Sequence, residues 1–538
     1  MRHLAPVNAM ISALKVAFTI RFCPHGTKPN ERRMKKKAKN VIELFCIPLG
    51  WHYLCIRQKD TVENLKQKTI GALIWNLVDR FGQQVLQFAV VIVVANILFP
   101  EDYALVAMLA IFTAVGNLII ESGFGAALIQ KHDADDLDFS TVFWFNLVMS
   151  VLLYGVLMAV SPLIVGYFDE SRLTAIGAVA FLVLPINASM LIQTTLLNKQ
   201  IRFRQLAKIN LAAMAVSAAG AVGMAVAGWG VWTLAWQPVT LAAVKSVLLW
   251  CTSRWRPCCR FSIARLRGLF GFSSMLLLSG LINTCFINIY SLVIPYLYPK
   301  RELGLFTQGN KICDPIVSLV YGSIQNATYP IFSHIQQDRP RLINAYRKSI
   351  RFTAFLTFPM MVGGMVVAPS LFRLLFKEAW WDAVPYFQLL CLGGCFTVLT
   401  AINNNFIKVS GHSTGIFKIE LYKIAFTAAA IGLLWQQSVL AMVGGLMAVR
   451  VLLHLVNMGY TQQYTGYRFL DQAKDTLPYV VLAAVMGIAT YALSWLISAP
   501  LPLLATQVVT GVAVYVALAY VAGSKLLREA LQLLSKKQ

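Results

Sequence analysis

Charged and amide side chains recur at three- and four-residue steps inside otherwise apolar stretches, the spacing that gathers them on one helical face. Asn76, Arg80, Gln83, Gln84 and Gln87 make one such stripe, with Asp79 beside Arg80, and Thr113, Asn117 and Glu121 make another. Thr307, Lys311, Asp314 and Ser318 form a third and Arg450, His454 and Asn457 a fourth, while Asn403, Asn404 and Asn405 close a further apolar stretch. A charge at the centre of a bilayer costs about 2.5–3.5 kcal/mol on the insertion scale, so these groups are expected to face a wet cavity or a partner. If the stripes converge, Arg80, Lys311 and Arg450 suit an anionic head group such as a phosphate or pyrophosphate. Gln83, Gln87, Asn117, Glu121 and Asp314 complete the candidate cavity lining. The competing reading pairs Arg80 with Glu121 and Lys311 with Asp314 as ion pairs that only fix helix packing. An imidazole ordinarily titrates near neutral pH, which makes His454 the candidate for proton coupling against a purely structural role.

The elements that carry these stripes are membrane spans. The chain of 538 residues is 58% hydrophobic and only 13% charged, with a mean hydropathy of +0.64, too apolar for a soluble globule of that length. Between Gly71 and Val521 roughly fourteen segments reach the ~20 apolar residues needed to cross the hydrocarbon core. They fall at 71–98, 103–128, 141–167, 173–197, 207–228, 229–251, 269–297, 304–332, 350–376, 382–408, 416–435, 438–460, 476–498 and 501–522. Continuous apolar runs such as Leu173 to Leu197 and Thr476 to Ser498 oppose a β-barrel, whose strands are short and alternating. The expected fold is an all-α polytopic membrane protein of about fourteen helices: two six-helix lobes in parallel pseudo-repeat plus two C-terminal helices. The expected boundaries are 62–268, 269–465 and 466–538.

A net charge of +24 could suggest nucleic acid, but the basic residues sit in alternate loops rather than on one soluble face. Lys199, Arg202 and Arg204 follow the fourth span, and Arg254, Arg256, Arg260, Arg265 and Arg267 the sixth. Arg339, Arg341, Arg347 and Lys348 follow the eighth, and Lys525, Arg528, Lys536 and Lys537 make a basic tail. The connections at Ala227-Gly228-Trp229, Gln436-Gln437 and Ala499-Pro500 carry no charge, and Pro299-Lys300-Arg301-Glu302 is a mild exception. The positive-inside rule then predicts both termini in the cytoplasm. The first span ends in Phe99-Pro100 and the seventh in Tyr298-Pro299, the same turn at the same place in each half. Residues 1–61, with the run Arg32-Arg33-Met34-Lys35-Lys36-Lys37, contain no stretch long enough to span. They read as a basic arm at the inner leaflet or as an extension ahead of a natural start near Val62.

Motifs for enzymatic, metal or nucleotide chemistry find no support. The ten cysteines are scattered and lack the paired spacing of a zinc site. Gly304 to Lys311 nearly spells a phosphate-binding loop, but Asn310 displaces the Lys and the segment lies within a span. Asn326-Ala327-Thr328 is a glycosylation sequon in the same position. No catalytic residues, metal ligands or cofactors are expected, and no nucleic acid partner.

Arg80-Phe81-Gly82-Gln83-Gln84-Val85-Leu86-Gln87-Phe88 and Glu121-Ser122-Gly123-Phe124-Gly125-Ala126-Ala127-Leu128-Ile129-Gln130 resemble the opening of bacterial polysaccharide flippases, as do Ser140 to Asn146 and Gly228 to Leu234. From about residue 62 onward the chain is similar to the polysaccharide-transporter branch of the multidrug/oligosaccharidyl-lipid/polysaccharide exporter superfamily, close to colanic acid and lipopolysaccharide exporters. Glu121 stands where the family pattern has Asp, which keeps the charge. The resemblance implies a two-lobed inner-membrane transporter with no enzymatic activity. It would move an undecaprenyl-diphosphate-linked oligosaccharide between leaflets by alternating access, for surface polysaccharide or lipopolysaccharide biosynthesis. Implied partners are the lipid-linked oligosaccharide and membrane lipids, with a glycan polymerase as a further one; the glycan, the coupling ion and the oligomeric state stay open. An ion-coupled multidrug antiporter of the same superfamily would favour acidic cavity residues, and a membrane glycan polymerase or ligase would need a long extramembrane loop. The stripes here are mixed to basic, and the connections are short.

Overall fold

The computed structural model describes residues 51–121, 123–131, 133–411, 413–523 and 526–527. Most of the 1–61 extension, Ser122 and the basic tail residues Lys525, Arg528, Lys536 and Lys537 lie outside them. The chain divides into two units, Met1–Ile74 and Trp75–Gln538; what is described of the first is the opening part of the helix Trp51–Ala95, and every side-chain contact below lies within the second.

Among the described residues the regular structure is helical throughout. The helices are α1 (Trp51–Ala95), α2 (Pro100–Glu121), α3 (Phe124–Gln130), α4 (Asp136–Phe168), α5 (Arg172–Ala180), α6 (Val183–Lys199), α7 (Phe203–Val226) and α8 (Val231–Thr252). A long α9 (Ile263–Leu297) leads to α10 (Lys300–His334), α11 (Arg339–Leu375), α12 (Val384–Val409), α13 (Ser413–Leu434), α14 (Val439–Thr465), α15 (Phe469–Ala492) and α16 (Pro500–Val521). Twelve helical segments among the described residues are long and apolar enough to cross a membrane, with α2 and α3 counted as one and α5 and α6 as another. The protein is a multi-pass helical membrane protein. Two helices expected to span, α10 with 35 residues and α13 with 22, are not among these twelve. α10 is the helix that bears Lys311 and Asp314.

Local chemistry sets the ends of these helices. Pro100 opens α2 with Glu101 and Asp102 in its first turn, where carboxylates oppose the positive end of the helix dipole. The Phe99 amide donates to Asp102 at 3.2 Å. The equivalent turn, Tyr298-Pro299, ends α9 and starts α10, so the recurrence read from sequence marks matching corners. Asp135 and Asp138 cap α4 reciprocally. Gly123, at φ 70°, breaks α2 from α3, a left-handed conformation that only glycine adopts without cost.

The packing repeats as well. In the first half α2 lies on α6, α4 on α6, α6 on α8 and α7 on α8. In the second half α10 lies on α12, α11 on α12, α12 on α14 and α13 on α14. The last two helices pack on one another and on α11. The halves meet through α2 against α9 and α10.

Polar contacts between the halves concentrate at one end. The Trp380 indole donates to the Ala95 carbonyl at 2.7 Å, and the Asn96 amide to the Leu375 carbonyl at 2.5 Å. Lys300 bridges to Glu170 at 2.8 Å, Tyr167 stacks on Tyr296 at 4.8 Å, and the Tyr103 and Trp380 rings meet edge to face at 4.9 Å. This end of the seam is latched.

Candidate functional site

The expected stripes divide into two polar clusters. In the first half Asp79 accepts from Gln83 one turn along α1 at 2.7 Å and from Asn210 on α7 at 2.9 Å. Lys245, on α8, lies within electrostatic reach of both Asp79 and Glu121. Gln87 accepts from Gln237 on α8 at 3.5 Å, and Asn117 from Asn187 on α6 at 2.8 Å. These bonds tie α1 to α7 and α8, and α2 to α6, because an amide in an apolar span must find its partner on a neighbour.

Arg80 stands apart from that layer. Its guanidinium donates to Asn76 at 3.1 Å and is exposed. A Cβ placed on Gly322 of α10 would lie 2.9 Å from Arg80 Nη1. The missing side chain at 322 therefore lets an arginine of the first half lie against a helix of the second.

The second cluster surrounds α10 and α14. Lys311 holds its ammonium 4.3 Å from the centre of the Tyr103 ring, a cation–π contact from α10 to α2 across the seam. Among the described residues it has no carboxylate within ion-pair distance. Gln308, one turn earlier on α10, is fully buried with neither amide atom hydrogen-bonded among the described residues. Asp314, exposed, and Arg450, partly buried on α14, face one another electrostatically. Gly393 on α12 makes room for Arg450: a Cβ there would lie 2.9 Å from its Cδ.

The paired reading of the stripes fails in both its parts. Among the described residues neither Arg80 with Glu121 nor Lys311 with Asp314 forms a salt bridge; Glu121 faces Lys245, and Asp314 faces Arg450. His454 is buried, its Nδ1 3.2 Å from the Thr400 hydroxyl and its ring 5.8 Å from that of Phe396. Asn403 and Asn405 are buried between helices, where Asn403 accepts from Tyr346 at 2.5 Å and from Gln472 at 3.1 Å, and Asn405 donates to Thr328 at 3.0 Å. Sequence reasoning missed Lys245, Gln237 and Gln308. Lys245 was detectable as a lone ammonium within an apolar span, eight residues and two turns from Gln237 on the same face.

A model described as polysaccharide biosynthesis protein matches residues 93–385 of the chain. The teichuronic acid biosynthesis protein TuaB of Bacillus subtilis is 25% identical over 427 residues, covering 76% of this chain and 85% of that protein. The succinoglycan biosynthesis transport protein ExoT of Rhizobium meliloti is 26% identical over 412 residues, covering 76% and 80%. Among solved structures, the lipid II flippase MurJ in its inward closed conformation superposes with a TM-score of 0.68 at 12% identity, over 85% of this chain and all of that one. The fold of this chain is of that kind.

Proposed function

The chain belongs to the polysaccharide biosynthesis protein family, and from that premise we propose that it is a transporter that carries a lipid-linked oligosaccharide across the bacterial inner membrane. Relatives of similar length are named for polysaccharide biosynthesis and transport, and a structural neighbour of the same fold is a lipid II flippase. The observation that carries the reading is Lys311: an ammonium inside a long helix, held by an aromatic ring and, among the described residues, without a carboxylate in ion-pair distance. An unpaired cation within the membrane is costly unless water or an anion serves it, and a lipid diphosphate is such an anion. Arg80 against Gly322 of α10, and Arg450 beside Gly393 and within electrostatic reach of Asp314 on α10, add two further cations. The diphosphate binds these cations, the glycan occupies the polar interior, and the polyprenyl tail stays in lipid.

Lobes 62–268 and 269–465 then rock about the seam, with 466–538 attached to the second; the recurring helix neighbours in the two halves support that division. Basic loops on one side support a topology with both termini in the cytoplasm. The latched end, which bears Phe99-Pro100 and Tyr298-Pro299, is then periplasmic, and the conformation faces inward. Protein reconstituted in vesicles with a lipid-linked oligosaccharide should raise the fraction of glycan exposed in the opposite leaflet, and an Arg80→Ala, Lys311→Ala, Arg450→Ala triple variant should not. Equal exposure with and without protein would remove the transport reading.

A further inference from the structure

The turn from α6 to α7 and the segment after α8 enclose a cavity of about 530 Å³, and none of its lining residues belongs to the site at the seam. Two buried polar groups on its wall have no hydrogen-bond partner among the described residues. They are the Gln193 carboxamide, unpaired at both Nε2 and Oε1 on a residue that is 0% exposed, and the Trp255 indole Nε1. Both groups are sealed off from the open space of the cavity, so the side chains that meet a ligand there are the exposed ones. Arg202 and Arg254 stand at the mouth, both exposed and neither in an ion pair among the described residues.

The wall is held firmly. Arg256 donates to the carbonyls of Ser253, Trp255 and Trp250 at 2.7, 2.9 and 3.0 Å, and the Trp255 ring meets Phe143 edge to face at 6.0 Å. Ile201 takes a left-handed φ of 57°, costly for a β-branched residue, and in doing so turns the chain so that Gln200 and Arg202 both line the cavity. The lining offers the guanidinium groups of Arg202 and Arg254 and the amides of Gln200 and Gln205, and among the described residues it contains no carboxylate. That donor set fits an oxyanion that accepts several hydrogen bonds at once.

We propose that this cavity is a second binding site, separate from the transport path, that takes a phosphate group. Its volume is of the size that holds a small ligand or a head group. A phosphate of this kind comes either from an anionic lipid or from a soluble phosphorylated molecule. The inference uses none of the residues assigned to transport, so it stands or falls independently of that function.

The test uses the purified full chain in detergent, with dioctanoyl phosphatidylglycerol, inorganic pyrophosphate and the net-neutral dioctanoyl phosphatidylcholine as probes. Native mass spectrometry reads binding, and thermal unfolding reads stabilisation. At least one anionic probe should bind and raise the unfolding temperature, and phosphatidylcholine should do neither. Replacing both exposed arginines, Arg202→Ala with Arg254→Ala, should weaken binding about tenfold or more. Phosphatidylglycerol binding without pyrophosphate binding identifies a lipid head group, and the reverse identifies a soluble phosphate. Binding of neither anionic probe, equal binding of phosphatidylcholine, or undiminished binding in the double arginine variant would each overturn the assignment.

Discussion

Lys311 rests on Tyr103 across the seam, which makes it both a contact between the halves and the cation with most to gain from an anionic ligand. Lys311→Ala should lower transport about tenfold, roughly the 1.4 kcal/mol expected of one charge-assisted contact, while Lys311→Arg retains most activity. Tyr103→Phe keeps the ring and should leave transport unchanged. Glycan exposure in reconstituted vesicles, normalised to inserted protein, is the measurement, and full activity of Lys311→Ala would remove the lysine from the substrate path. Sequence spacing located this residue but not its company. Steps of three and four report which side chains share a helical face, so Arg80, Gln83 and Gln87 could be grouped from the chain alone. Which helix meets that face depends on tertiary packing, and there the expected partners changed: Glu121 faces Lys245 instead of Arg80, and Asp314 faces Arg450 instead of Lys311. Lys245 itself was overlooked because it falls on no stripe within its own span except with Gln237.

Elements of this fold meet closely only where side chains permit it. A Cβ on Gly304, in the first turn of α10, would collide with the backbone carbonyl of Pro100 at the start of α2, and backbone cannot swing aside as a flexible side chain can. Gly304→Ala should therefore loosen the latched end, giving a lower unfolding temperature and faster modification of a cysteine introduced at exposed Phe99; unchanged labelling would show that the two turns separate without cost. The corner itself was legible, since Phe99-Pro100 and Tyr298-Pro299 stood out as a repeat, but the closeness of α2 to α10 was not, because no local pattern encodes it. A second joint ties α11 to α15. Buried Asp475 accepts from Arg347 at 2.9 Å and Arg351 at 2.5 Å, and also from the Tyr467 hydroxyl. Asp475→Ala leaves both guanidinium groups without their carboxylate and should cost about 3 kcal/mol, the lower part of the range for a broken buried pair, because the arginines are 39% exposed. Thermal unfolding in detergent measures it, and Asp475→Asn should recover part of the loss through the Tyr467 bond.

At the scale of the whole molecule, alternating access requires that the latched end open when the other end closes, so the latch must be strong enough to hold and weak enough to release. Its contacts are few and of mixed kind: one indole and one amide donated to carbonyls, a stacked tyrosine pair, and the Lys300–Glu170 bridge. Hydrogen bonds from Arg172 and then Lys300 hold the Glu170 carboxyl down to about 2, below its ordinary 4.5. A carboxyl depressed in this way contributes to the closed form fully above its ordinary value and loses that contribution as pH falls through its lowered one. Arg172 is two residues away on the same connection and stays with Glu170 when the latch opens, so only the Lys300 share of the effect belongs to closure. The latch should accordingly be indifferent to pH between 7 and 5 and weaken only below about 4.5. Spin labels at exposed Ser171 and Lys377, on opposite sides of the seam, would report one short distance in that range. Lys300→Ala should add a longer population at neutral pH, larger when combined with Asn96→Ala, and acidification to pH 3 should produce the same population in the otherwise unaltered latch. A distribution unmoved by either substitution or by acid would mean that stacking and apolar packing alone keep this end shut, and that the ion pair takes no part in the cycle.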